Sequence, residues 1–192
     1  MSLSIRYNAP VTLTFSLVCI GVFFLCELIP SLRYNVFSIS PYWSWTNPID
    51  YLRLFTYTLG HANKEHLMGN ISMFLLLAPM MEEKYGSRDI AYMIGVTALI
   101  TAIFQILLFN TGLLGASGVL FMFIMLTSFA DARKGSIPLT FILVLVFFMG
   151  KEIVGAWNND SVSQYAHIAG GLFGGFFGFA LESQREKGRG VQ

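Results

Sequence analysis

The chain has 192 residues, 55% of them hydrophobic, with 12 basic and 11 acidic side chains, a formal charge of +1 and a mean hydropathy of +0.62. At 12% charged it carries about half the share usual in a soluble domain, which excludes an ordinary soluble globule; the near-neutral balance, with cations scattered along the chain, gives no footing for nucleic acid. Asp, Glu, Lys and Arg are absent from windows at 7–26, 66–81, 90–130, 135–150 and 161–181, as in a chain that crosses a membrane several times.

A bilayer core of roughly 30 Å takes about 20 helical residues per crossing. Spans are therefore predicted at about 10–29, 66–82, 89–109, 114–131, 136–153 and 164–182, with Asn110, Thr111 and Gly112 dividing the longest window. The expected fold is all-α: a single polytopic membrane domain over residues 1–192, a bundle of six spans. The first span is longer than the apolar stretch of a signal peptide and is preceded only by Arg6, so it reads as a retained helix, and no separate domain is expected before it. Its Cys19 and Cys26, seven apart on one face, read as small buried apolar residues rather than a disulfide or metal site.

The loop from about 30 to 65 is rich in aromatic and apolar residues, among them Trp43, Trp45, Leu54, Phe55, Tyr57 and Leu59, which predicts short helices lying partly in the outer leaflet. The fifth loop, from Lys151 to Gln164, reads as a polar cap over the level of the fourth and sixth spans. With both termini inside, Arg6, Lys84, Arg88, Arg133, Lys134, Arg185, Lys187 and Arg189 are cytoplasmic, and only Arg33, Arg53, Lys64 and Lys151 are external, in keeping with the positive-inside rule.

That topology starts spans two, four and six at the external face. Their first turns carry His66 and Asn70, Ser117, and His167 at one depth. Ser117 lies in Gly115-Ala116-Ser117-Gly118, about three residues into span four; small neighbours expose its hydroxyl, though such residues also serve close helix packing. An imidazole inside a membrane faces protein or a wet cavity, so His167 is either a structurally satisfied histidine or a base able to take a serine proton. Gly170, Gly174 and Gly178 recur every fourth residue, a surface that lets span six lie almost backbone to backbone against a neighbour. His66 and Asn70, four apart on one face, are donors suited to an oxyanion hole, or helix-to-helix glue.

His61 and His66 raise the question of a metal, but no third ligand stands at suitable spacing, and Glu65 precedes His66 where a His-Glu-x-x-His motif needs it to follow. No metal and no cofactor are expected. The outer halves of spans two, four and six carry no carboxylate, so a Ser-His pair is more economical than a triad.

In this order and at these depths, His66-x-x-x-Asn70, Gly-Ala-Ser117-Gly and Ala-His167-x-x-Gly170 followed by Gly174 resemble the rhomboid family of intramembrane serine proteases in its minimal six-span bacterial form. The resemblance extends from the first span to about Leu181. It implies a Ser117 nucleophile, a His167 base, and an oxyanion held by His66, Asn70 and the Ser117 amide. It also implies supporting places for Arg53 in a Trp-Arg motif of the first loop, for His61 between that motif and span two, and for Glu82 with Gly86 in a Glu-x-x-x-Gly element. Leu52 stands where that motif has tryptophan, and Phe121 where a tyrosine often stacks on the histidine. The implied substrates are single-span or other membrane proteins in the lipid bilayer, cut near the external face of a bacterial inner membrane. They would arrive laterally beside span five, where Phe147, Phe148 and Trp157 are candidate gates. Rival expectations are a silent relative that binds membrane clients, and a small transporter; few charges lie within the spans and no internal repeat stands out to favour the latter.

Overall fold

The computed structural model of the chain describes residues 5–129, 137–144, 146–147 and 164–189, and among them the regular structure is helical, with one isolated β-bridge. Helix α1 (Pro10–Leu28) opens with proline in its first turn, where a missing N–H costs nothing, and stops just before Pro30. The first loop folds into α2 (Ser31–Asn35), α3 (Pro48–Thr56) and a 3-10 turn (Tyr57–Leu59). Long helices α4 (Lys64–Tyr85) and α5 (Ser87–Leu108) meet at Gly86, whose φ of +88° is left-handed backbone that glycine adopts freely. Helices α6 (Ser117–Phe129), α7 (Leu139–Val144) and α8 (Gln164–Arg189) follow.

By length and apolarity alone, α1 and α5 each suffice to cross a membrane. Helices α4 and α8 are as long and carry their charges near their ends. Helix α6 is the centre of the molecule. Every residue from Gly118 to Leu126 is buried, as expected of a helix that is apolar all round. Its Val119, Met122, Phe123 and Leu126 pack with Phe74 and Ala78 of α4, Ile90 and Met93 of α5, and Phe177 of α8.

Helices α6 and α8 touch through backbone. A methyl group on Gly170 would lie 1.8 Å from the carbonyl oxygen of Gly118, and one on Gly174 would lie 2.2 Å from that of Met122. Nothing larger than glycine fits either position at this separation.

Glu82, near the C-terminal end of α4, ties three helices together. Its carboxylate accepts the N–H groups of Val11 and Thr12 at 2.9 Å and the hydroxyls of Thr12 and Ser87 at 2.7 Å. A negative charge thus satisfies the free amides at the start of α1, which no side chain of α1's own N-cap does.

The first loop is equally well fixed. The Arg53 guanidinium donates to the Asn35 carbonyl at 2.6 and 2.9 Å and pairs with buried Asp50, whose other oxygen accepts the Ser44 N–H at 3.0 Å. Leu52, in the tryptophan's place, is 60% exposed and takes no part in that network. Ile39 and Leu113 exchange backbone hydrogen bonds, so the first loop holds the connection between α5 and α6.

The fourth predicted span begins later than its expected start near 114. Gly115 adopts φ +119°, and its N–H donates 2.9 Å to the Tyr57 carbonyl, so the chain is committed to the first loop before helix can begin. Ser117 is therefore the first residue of α6 rather than the third or fourth of a span. Of predicted span 136–153 only α7 and residues 137–138 and 146–147 are described; Phe147 is exposed, while Phe148, Trp157 and the loop over 151–163 lie outside the described residues.

Candidate active site

Asn63 caps α4: its side-chain oxygen accepts the His66 N–H at 2.8 Å, an N-cap that fixes the helix start and sets His66 in its first turn. The Ala62 N–H donates to His66 Nδ1 at a long 3.5 Å, which leaves the ring proton on Nε2. Nε2 and Cε1 of His66 lie over Gly115: a Cβ there would be 2.8 and 2.6 Å from them, and 3.8 Å from Asn70 Nδ2. Gly115 is thus the one kind of residue that leaves room beside these donors.

Asn70 follows one turn later and is buried. Its Nδ2 has no hydrogen-bond partner among the described residues. A buried amide without a partner forgoes a favourable bond of about 1 kcal/mol and the solvation lost on burial, so it is a group kept ready for a ligand or held at a cost.

Ser117 is half-buried at the N-terminus of α6, where backbone amides have no intrahelical partner and the helix end carries partial positive charge. The next residue, Gly118, is against the Ala166 carbonyl, with a Cβ there only 3.1 Å away. The residue after the serine therefore touches the residue before His167. His167 is buried, its ring stacked on Phe121 with centroids 4.4 Å apart and planes within 4°. Phe121, one turn beyond Ser117, supplies the flat face expected of an aromatic there. His66 is also close enough to His167 for the two to interact electrostatically.

His61 sits just before α4, 1% exposed, its Nδ1 3.2 Å from the Leu59 carbonyl and its ring edge-to-face with His66 at 5.1 Å. Burial, reinforced by the neighbouring His66, pushes its pKa down to about 4, so the ring is neutral at neutral pH.

Ser117, His167, Phe121, His66, Asn70 and His61 thus share one region. Gly170 and Gly174 set the α6–α8 approach beneath it. Arg53 lies in the first-loop network, and Glu82 belongs to the opposite end of α4, away from this region. Three contributors do not stand out from the sequence: Asp50, Asn63 and the carbonyl of Tyr57. The opposite charges of Asp50 and Arg53 at i, i+3, and an asparagine ahead of Lys64 and Glu65, are signals that could find the first two; the backbone bond from Gly115 to Tyr57 leaves no trace in residue type. Among the described residues no group of three His, Cys, Asp or Glu side chains is placed to hold a metal ion.

A family model described as "Rhomboid domain" matches residues 48–184, which takes in every residue of this cluster. The chain is also similar to the rhomboid protease GlpG of Haemophilus influenzae, 23% identical over 138 residues that make up 70% of this chain and 71% of that protein.

Proposed function

The chain belongs to the rhomboid family of integral membrane proteins, and on that premise we propose that it is an intramembrane serine endopeptidase that cuts membrane-spanning segments of other proteins by a Ser117–His167 pair. The observation that carries this is the convergence on Gly115. An unpartnered Asn70 amide and the Nε2–H of His66 meet two residues before a serine that opens a helix, and that helix packs on the residue preceding His167.

In this mechanism Ser117 Oγ attacks the scissile carbonyl carbon while His167 takes its proton. The carbonyl oxygen, now an anion, is held by the Ser117 N–H, His66 Nε2–H and Asn70 Nδ2–H. Collapse breaks the C–N bond, and His167 delivers the proton to the leaving amine. Water then attacks the acyl-enzyme, giving its proton to His167, and the ester bond to Ser117 breaks as His167 returns that proton to Ser117 Oγ, releasing the acid. The stacked Phe121 ring orients the imidazole without supplying a hydroxyl. A helical substrate must unwind before its carbonyl is reachable, so segments weakened by Gly, Pro or other poor helix formers are the preferred targets.

The topology proposed with it has six crossings and both termini in the cytoplasm of a bacterium. The site then opens on the external side of the inner membrane, where water is at hand. The excess of Lys and Arg in the segments assigned to the inside supports that orientation.

The test is a single-span reporter and a fluorophosphonate probe presented to the purified protein in liposomes. Wild type should cleave the reporter and label; Ser117→Ala should do neither, with cleavage down by at least about a thousandfold. Equal labelling of the two proteins rejects the assignment.

A further inference from the structure

His61 has no step in the chemistry above, yet its surroundings are specific. The Leu59 carbonyl can only accept, so His61 Nδ1 carries the proton and Nε2 the lone pair. That Nε2 has no partner among the described residues. What the ring does touch is His66, edge to face at 65°. A merely space-filling side chain would serve as well if it were apolar. A histidine buried this deeply is held in one orientation by its bond to the 3-10 turn, and sets a planar, uncharged ring against His66.

His66 needs such a surface. It stands in the first turn of α4, is only half-buried, and its own Nδ1 is held by one long bond from Ala62. Donors to a developing anion work only when aimed in advance, within fractions of an ångström. We propose that His61 is a positioning residue whose ring, fixed to the Leu59 carbonyl, forms the wall that keeps the His66 imidazole turned with Nε2–H toward the space beside Gly115. The proposal rests on the Ser117–His167 reading and on His66 as an oxyanion donor.

The experiment is a double-mutant cycle on the full chain in phosphatidylethanolamine/phosphatidylglycerol vesicles, comparing wild type, His61→Ala, His66→Ala and the double variant. It reads kcat and KM on the reporter, and fluorophosphonate labelling over hours for variants too slow to turn over. His61→Ala should lower kcat about ten- to a hundredfold with KM within about twofold, and should change the rate by less than about twofold once His66 is alanine. His61→Phe, which keeps a neutral flat ring but loses the bond to the Leu59 carbonyl, should recover kcat only in part, to a value between those of His61→Ala and wild type. Should His61→Ala fail to fold, His61→Leu, which fills the space without a flat face, takes its place in the cycle. An equal loss in both His66 backgrounds, or a loss confined to KM, overturns the proposal. Cleavage by Ser117→Ala would instead overturn the protease reading, so the two failures are told apart.

Discussion

The two ends of α4 hold polar groups in opposite ways. Near Gly86, Glu82 is buried and accepts four hydrogen bonds from α1 and from Ser87. At the other end Asn70 is equally buried, but its amide nitrogen has no partner among the described residues, and neither has Nε2 of His61. A saturated group has given up its capacity to bind anything else and serves only to join helices. In the proposed mechanism, the unsatisfied Asn70 donor is a group whose partner arrives with the substrate. One helix thus carries a fastening and part of the candidate site about 18 Å apart, twelve residues at 1.5 Å each.

The severest way to break this contrast leaves both ends of α4 untouched. Gly170→Val forces side-chain atoms into the Gly118 carbonyl and parts α8 from α6, so labelling and cleavage should vanish and Tm fall; normal labelling would mean that the contact is not needed. Next in size is Asn70→Ala, expected to lower kcat about ten- to a thousandfold while Tm hardly moves, because the lost amide nitrogen had no partner to leave behind. A large Tm drop with intact kcat would mark Asn70 as structural.

Glu82→Ala should do the reverse. Two backbone amides and two hydroxyls lose their acceptor, so stability should fall by about 1–3 kcal/mol in a denaturant titration, with kcat of the folded fraction within about twofold of wild type. The last effect is one of pH. His61 takes a proton near pH 6.5 when unfolded and only near 4 in the fold, so the stability tied to its neutral form is whole above pH 6.5 and declines as pH falls toward 4. Wild-type Tm should be lower at pH 4.5 than at pH 7, and the drop should be smaller in His61→Phe.

Residue types alone are informative about some of these groups and silent about others. Long apolar windows announce helices, and α1 at Pro10–Leu28 and α5 at Ser87–Leu108 lie within a residue or two of the spans predicted at 10–29 and 89–109. Polar residues are conspicuous against such a background, which is why Ser117, His167, His66 and Asn70 stand out as candidates by residue type and spacing. Asp50 does not, because a carboxylate in a polar loop looks ordinary until the fold buries it against Arg53. The late start of α6 is hidden as well: it follows from a left-handed Gly115 bonded to a carbonyl 58 residues earlier. Glu82 can be picked out, but its partners in α1, some 70 residues away, depend on tertiary packing that no local pattern encodes.

The glycine contact between α6 and α8 has a consequence for the membrane as a permeability barrier. A hydrolase embedded in a bilayer must admit water from one side without making a conducting path to the other, since each charge that leaks through dissipates about 2.3 kcal/mol per 100 mV of membrane potential. With Gly170 against the Gly118 carbonyl and Gly174 against the Met122 carbonyl and the Met125 Cβ, the described seam between α6 and α8 is closed largely by main chain. In the proposed enzyme, the same two glycines that bring the helices together serve as insulation under the site.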